Sequence, residues 1–188
     1  MQISINEVAN GIGLLVDGQI YFVAEYNHVK PGKGAAFVRI RLKNVKTGAV
    51  LERTYRTSEA LEQLDLENRK CQYLYSSGDT FHFMDQVTYE EHAVSREMLG
   101  DGANYLQDNL EAIAVVYKDQ IVRIDVPNFI VARVAECEPG IRGDSSKLGT
   151  KAAKIDTGAT IQVPLFIEVA EVIRVDTRSG IYVERVKK

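Results

Sequence analysis

The stretch Val38-Arg39-Ile40-Arg41-Leu42-Lys43 alternates apolar and basic residues without a break. Such alternation is typical of a β-strand with one buried face, because successive side chains of a strand point to opposite sides. We therefore predict that the three apolar residues face a core. The opposite face would carry a row of exposed cations: Arg39, Arg41 and Lys43.

The sequence on either side of this stretch also predicts short strands joined by tight turns. Asp17-Gly18 separates the apolar residues 13–16 from 19–23. It indicates a hairpin, because a type I′ turn needs two residues with positive φ. Two further hairpins are predicted around residues 77–79 and 118–119. Between them, residues 90–109 are rich in Glu, Ala, Leu and Met and favour short helix, interrupted by glycines.

The last third of the chain predicts strands at residues 129–137, 159–163, 166–175 and 181–186, with a turn-rich segment at 138–150. Pro127 stands before the first of these strands and disfavours a strand that continues across this position. Long helices are not evident, which argues against βαβ architectures. We therefore predict an all-β chain of three small domains at residues 1–63, 64–127 and 128–188. The order strand pair, helical connection, strand pair favours a five-stranded oligonucleotide-binding (OB) barrel for the middle domain.

Composition limits the class of protein. Of 188 residues, 45% are apolar and 26% charged, which is the balance of a soluble globular protein. Apolar runs fall short of the ~20 residues of a membrane helix, and the first residues lack the pattern of a secretory signal. Cys71 and Cys137 are far apart, which indicates a reducing environment. We expect a cytoplasmic monomer with no membrane partner.

Charge is distributed unevenly along the chain. The net charge of −3 divides into +2, −7 and +2 over the three predicted domains. All eight basic residues of the first domain lie between Lys30 and Arg56, where Glu52 is the only acid. Clustered positive charge is the electrostatic footprint of a nucleic-acid-binding surface. A solvated face would produce the same density of charge.

Known enzyme signatures are incomplete. A phosphate-binding loop fails at two positions, because Asn27 stands in place of its first glycine and Gly34 in place of its hydroxyl residue. The three histidines lack metal-ligand spacing, and neither cysteine has a neighbouring Cys or His. His82, between two phenylalanines, is expected to be a half-exposed structural residue. We therefore predict no catalytic residues, no metal site and no cofactor.

The loop of residues 29–35 combines one proline and two glycines around a lysine. Pro31 fixes its own φ, and Gly32 and Gly34 permit positive φ on either side of Lys33. The pattern predicts a narrow turn with one long cationic side chain at its tip. An ordinary hairpin turn with an incidental lysine fits the same residues.

Several motifs in this chain resemble those of bacterial translation elongation factor P. The tip loop of that family is similar to Lys30-Pro31-Gly32-Lys33-Gly34 followed by Ala36-Phe37. Its C-terminal signature is similar to residues 151–158 continuing to 163–167, except that the family's closing glycine is Ala170 here. From that departure we expect a backbone without positive φ at Ala170. Residues 139–144 and 176–180, with Tyr182 and Arg185, also resemble the family.

The resemblance implies an SH3/KOW-like N-terminal barrel and two OB barrels, arranged in an L shape like that of a tRNA. It implies a non-catalytic factor that binds ribosomal RNA between the peptidyl-tRNA and exit sites. There the family promotes peptide-bond formation on ribosomes stalled at consecutive prolines. Lys33 would approach the peptidyl-tRNA and would be the modified residue, which implies a lysine-modifying enzyme as a further partner.

The resemblance also assigns the remaining contacts. Lys30, Pro31, Gly32 and Gly34 would present Lys33 to the tRNA. The loop with Gly143, Asp144 and Ser145 would approach the small subunit, and Ser145 keeps the hydroxyl of the family's usual threonine. Tyr182 and Arg185 would touch RNA. The acidic middle domain would contribute the fewest RNA contacts.

Two other functions stay compatible with the residues. One is an RNA-binding module with no role in peptide-bond formation, because a basic face would serve both. The other is an enzyme acting on a phosphorylated metabolite through the Gly-Lys-Gly loop, although that loop lacks the hydroxyl and the following helix of a phosphate site.

Overall fold

The computed structural model describes residues 1–32, 34–138 and 149–186. Their contacts group into two compact units, residues 1–69 with 114–124 and residues 70–113 with 125–188. The three predicted domain limits stay a prediction. In chain order the strands are β1 Gln2–Ser4, β2 Gly13–Val16, β3 Gln19–Val29, β4 Phe37–Asn44, β5 Val50–Arg56, β6 Ala60–Gln63, β7 Glu67–Ser77, β8 Thr80–Asp85, β9 Glu91–Ser95, β10 Glu111–Tyr117, β11 Gln120–Asp125, β12 Phe129–Cys137, β13 Thr150–Ile155, β14 Thr160–Pro164, β15 Val172–Asp176 and β16 Ile181–Arg185.

Helices are short throughout the described ranges. They comprise two 3-10 helices, Ile5–Glu7 and Gly100–Tyr105, and a one-turn α-helix, Arg96–Leu99. No helix in these ranges is long and apolar enough to cross a membrane. The prediction of an all-β fold is therefore confirmed.

Six of the described strands form the first sheet in the order β1-β6-β2-β3-β4-β5. The alternation on β4 is confirmed, because Val38, Ile40 and Leu42 are completely buried in the core of this sheet. Asp17 and Gly18 both have positive φ, so the β2–β3 hairpin closes with the predicted turn. The side-chain period of two thus places the basic residues of β4 on the outer face.

Five described strands form the second sheet, in the order β11-β10-β7-β8-β9. The two hairpins predicted for it are confirmed. The prediction of helix from residue 90 is wrong in its first part, because residues 91–95 form β9 and only residues 96–105 are helical. β9 pairs antiparallel with β8 from Met84↔Glu91 to Thr80↔Ser95 and buries Val94. Pairing along an open edge outweighs the helix propensity of Glu and Ala here.

The remaining strands close into a barrel in the order β12-β13-β14-β16-β15. The prediction of a strand over 166–175 is wrong for its first half, because β15 begins at Val172. Phe166 lies in the preceding loop and is 63% exposed, while Ile167 inserts completely into the barrel core. β13 was not predicted from the sequence, because its two alanines have weak strand propensity. β13 forms because it pairs with both β12 and β14, which the closure of the barrel requires.

Ala170 adopts a backbone conformation that the sequence analysis did not expect. Its φ is +70°, so the expectation of a backbone without positive φ at this position is wrong. Its N–H donates a hydrogen bond to the Val134 carbonyl at 2.8 Å. That bond ties the loop before β15 to the barrel wall, and the tie holds an alanine in the left-handed region that favours glycine.

Replacing Ala170 by glycine is expected to stabilise the protein. The left-handed conformation costs an alanine about 1–2 kcal/mol, which glycine would not pay. The greater freedom of glycine in the unfolded chain offsets part of this stabilisation. We expect the free energy of unfolding to rise by about 0.5–1 kcal/mol, measured by urea denaturation.

The matched control is Ala93→Gly. Ala93 is an exposed alanine within β9, where φ is not positive. Glycine at this position relieves no backbone strain and adds only its entropic cost. The free energy of unfolding of this variant should therefore fall by about 0.5–1 kcal/mol. A loss of the same size at Ala170 would contradict the argument from strain.

Candidate nucleic-acid interface

The loop of residues 30–36 lies at the end of the β3–β4 hairpin. The strands pair from Tyr21↔Asn44 to Val29↔Phe37. The ladder ends there because Pro31 has no N–H to donate and fixes its own φ. Lys30, Pro31, Gly32 and Gly34 are all exposed, whereas Val38, one residue past the loop's closing pair, is completely buried. The loop thus rests on a hairpin anchored in the core.

The glycines of this loop have different surroundings. Gly34 has a φ of +110°, outside the range that side-chain-bearing residues adopt readily, and a β-carbon there would stand 4.0 Å from Pro31 Cγ. A β-carbon at Gly32 would meet no atom of the described chain within 4 Å. Lys33, the predicted modified residue, lies outside the described residues. The described residues on either side of it are exposed, and the backbone conformation at Gly34 favours glycine.

The basic residues of β4 form the row that the sequence predicted, but the row is interleaved with acids. Arg39 Nε lies 3.4 Å from Glu52 Oε1 on β5, and Arg41 Nη1 lies 3.3 Å from Glu25 Oε2 on β3. The two guanidinium side chains remain 49% and 51% exposed. Arg39 and Arg41 are therefore each accessible to a phosphate and already paired with a carboxylate.

Glu25 is held on two sides. The Asn27 amide donates to its Oε1 at 2.7 Å and Arg41 donates to its Oε2. Both hydrogen bonds lower the pKa of Glu25 below its ordinary value, and the one from Asn27 has the larger effect. Glu25 therefore stays ionised at neutral pH.

The two carboxylates were not predicted from the sequence as part of this surface. Glu25 lies outside the basic stretch of residues 30–56, and Glu52 is the one acid among eight bases within it. The register shows that both stand directly opposite Arg41, one on each neighbouring strand. Only strand pairing brings residues 25, 41 and 52 together.

Tyr182 and Arg185, predicted to contact RNA, lie on β16 in the second compact unit. Tyr182 is half-buried and packs against the barrel core. Arg185 Nη1 donates to Glu171 Oε1 at 2.8 Å and remains 47% exposed. A backbone N–H of Glu168 and then this guanidinium lower the pKa of Glu171. Gly143, Asp144 and Ser145 lie outside the described residues.

His82 has the structural setting expected from the sequence. Its Nδ1 lies 2.6 Å from Glu91 Oε1, which also accepts a hydrogen bond from the Tyr75 hydroxyl at 2.9 Å. The Tyr75 and His82 rings stack with centroids 4.4 Å apart. Within the part of the chain that the structure describes, no group of three or more His, Cys, Asp or Glu could hold a metal ion.

Comparison with known proteins agrees with this architecture. Three family descriptions match in order: the elongation factor P KOW-like domain at residues 4–61, the elongation factor P OB domain at 66–124 and the elongation factor P C-terminal domain at 130–185. Elongation factor P of Moorella thermoacetica is 49% identical over 183 residues, covering 97% of this chain and 99% of that protein. That of Synechococcus sp. shows the same identity and coverage.

Among solved structures, eukaryotic translation initiation factor 5A from Methanococcus jannaschii superposes with a TM-score of 0.52 at 23% identity, covering 68% of this chain and 92% of that one. That likeness concerns the fold alone. The family matches span nearly the whole sequence, and the sheets and the barrel suit the domains that they describe. The chain therefore belongs to the elongation factor P family of translation factors.

Proposed function

We propose that this protein binds the ribosome between the peptidyl-tRNA and exit sites and promotes peptide-bond formation when the ribosome stalls at consecutive prolines. The observation that carries the proposal is the loop at the end of the β3–β4 hairpin. Its described residues are all solvent-accessible, and the strands that support it are anchored in a packed core. Membership of the elongation factor P family supports the translational role.

The proposed mechanism is positioning rather than catalysis. Proline is a poor nucleophile in peptide transfer because of its geometry, so holding the peptidyl-tRNA in an orientation ready for attack restores rate without a catalytic group. Lys33 would reach toward the acceptor end of that tRNA, presented by Lys30, Pro31, Gly32 and Gly34. A lysine supplies a compact charge on a flexible stem. Covalent extension by a modifying enzyme would lengthen its reach.

Other parts of the chain would bind RNA around this contact. Arg39, Arg41 and Lys43 would bind phosphates without sequence preference. In the C-terminal domain, Gly143, Asp144 and Ser145 would approach the small subunit, and Tyr182 and Arg185 would touch RNA. The protein would act as a cytoplasmic monomer of three domains at residues 1–63, 64–127 and 128–188.

The proposal is tested by adding the purified protein to a reconstituted translation system. One template encodes three consecutive prolines, and a matched template encodes the same prolines separated by other residues. We expect faster synthesis past the proline run and no change on the matched template. Equal effects on both templates, or none on either, would overturn the proposal.

The proposed position on the ribosome has its own test. Excess deacylated tRNA that fills the exit site should slow binding of the protein, because the two would occupy overlapping space. Binding of labelled protein to stalled ribosomes, measured with and without that tRNA, gives the result. Unchanged binding would place the protein elsewhere.

A further inference from the structure

The outer face of the β3–β4–β5 sheet alternates charge across the strands, with cations on β4 and carboxylates on β3 and β5. Arg41 has Glu25 on one side and Glu52 on the other. Arg39 stands opposite Asn27 and Thr54, yet it reaches diagonally to Glu52. The two carboxylates therefore engage both guanidiniums that the proposed function assigns to RNA.

Lys43 differs from the two arginines. Its register partners are Phe22 on β3 and Val50 on β5, both apolar. Two of the three cations in the row thus have an acidic partner on an adjacent strand. The third, Lys43, has no acidic residue directly opposite on either neighbouring strand. The affinity of the row for phosphate is therefore reduced at its two guanidinium groups, which are the cations able to bind a phosphate in bidentate geometry.

A phosphate that binds Arg39 or Arg41 must compete with the carboxylate already there. Exposed ion pairs are weak, so the competition lowers the affinity of an incoming phosphate by roughly up to fivefold for each pair. A cost of that size weakens binding that depends on a few phosphate contacts. It has little effect on binding that adds many other contacts to the same row.

The two carboxylates stand on strands paired with β4, and Glu25 is held by a second contact. Glu25 is anchored by the Asn27 amide as well as by Arg41, so it does not depend on the cation alone for its position. Its lowered pKa keeps it charged at neutral pH. Glu52 lies within β5, whose backbone pairs with β4 at this level.

We propose that Glu25 and Glu52 are specificity-determining residues, whose ion pairs with Arg41 and Arg39 prevent this surface from binding RNA indiscriminately. The row would then engage phosphates only where other contacts have already brought the protein to its site. The inference rests on the proposed function, because it takes the row to be an RNA-binding surface.

The test is the double variant Glu25→Gln with Glu52→Gln, titrated with an unstructured 20-nucleotide oligouridine at several salt concentrations by fluorescence anisotropy. Freeing two guanidiniums should tighten binding by up to about 25-fold at low salt, because each ion pair costs up to about fivefold. The plot of log affinity against log salt should steepen by about 0.7 for each cation released, or about 1.4 in all.

The control variant is Glu62→Gln with Asp65→Asn, which changes net charge by the same amount at exposed positions off the β3–β4–β5 face. We expect its affinity to change less than twofold and its salt slope to stay constant. Equal affinities for the two double variants would overturn the inference. The single variant Glu52→Gln should show about half the change in slope and preserves the test if the double variant fails to fold.

The translation assay separates this inference from the proposed function. If the unaltered protein relieves proline stalling while the double variant binds oligouridine as the control does, the inference alone fails. If the unaltered protein has no effect on proline runs, the proposed function fails whatever the RNA affinities are. Added bulk RNA should inhibit the double variant more than the unaltered protein, and equal inhibition would count against the inference.

Discussion

Lys33→Ala is expected to lose nearly all of the proline-specific stimulation. The side chain carries the proposed contact with the peptidyl-tRNA, and a reacting group displaced by about 1 Å can lose 10²-fold in rate. We therefore expect the step across consecutive prolines to slow by about 10- to 100-fold relative to the unaltered protein. Rapid-quench measurement of dipeptide and tripeptide formation on the proline template gives the rate.

The stability of this variant should not change. The residues around Lys33 are exposed, and surface substitutions away from packing features stay within about 0.5 kcal/mol. The matched control is Lys46→Ala, an exposed lysine in the turn between β4 and β5. Lys46→Ala removes the same charge from the same sheet, and we expect it to retain full stimulation.

The same pair of variants discriminates between the three candidate functions. An RNA-binding module without a role in peptide transfer would show equal, modest losses of RNA affinity for Lys33→Ala and Lys46→Ala, with no proline-specific effect. An enzyme acting on a phosphorylated metabolite would bind a nucleotide tightly without the ribosome and lose that binding in Lys33→Ala. Either result would contradict the positioning role.

Intact-mass measurement of the protein from its native host tests the expected modification of Lys33. An extended lysine adds mass to the chain, and peptide mapping would place that mass at residue 33. An unshifted mass together with full activity on the proline template would contradict the modification and leave the positioning role intact.

Gly34→Val is expected to impair function almost as strongly without removing any charge. At a φ of +110° a β-branched residue is strongly strained, so the loop must change conformation to accept it. Because a β-carbon at Gly34 would meet only Pro31 in the described chain, the strain is relieved by moving the loop rather than by unfolding the sheet. We expect a loss of about 10-fold or more in the proline-specific rate.

A second glycine provides the matched control for Gly34→Val. Gly48 has a φ of +67° in the turn between β4 and β5, and a β-carbon there would also find open space. Gly48→Val should cost about 1–3 kcal/mol of stability and leave the proline-specific rate unchanged. If both variants lose activity equally, general destabilisation explains the loss. If Gly34→Val keeps full activity, the loop conformation has no role in positioning.

The elements with strong local patterns were predicted correctly from the sequence. β4 follows from its period-two alternation, and the β2–β3 turn follows from Asp17-Gly18, because both patterns act through neighbouring residues. The elements predicted wrongly are those whose conformation depends on contacts with another element rather than on adjacent residues. β9 forms along the edge of β8 against its own helix propensity, and residues 165–171 form a loop because Ile167 must reach the barrel core.

The same distinction applies to the candidate site, where some features follow from adjacent residues and others from the tertiary structure. The order of proline, glycine and lysine in residues 30–34, and the three cations of β4, are properties of adjacent residues and were visible in the sequence. The pairing of Arg41 with Glu25 and of Arg39 with Glu52 joins residues 16 and 13 positions apart, and only the register of the sheet creates it. The positive φ of Ala170 likewise follows from a hydrogen bond to Val134 on another strand, because tertiary contacts can hold a residue in a conformation that its own side chain disfavours.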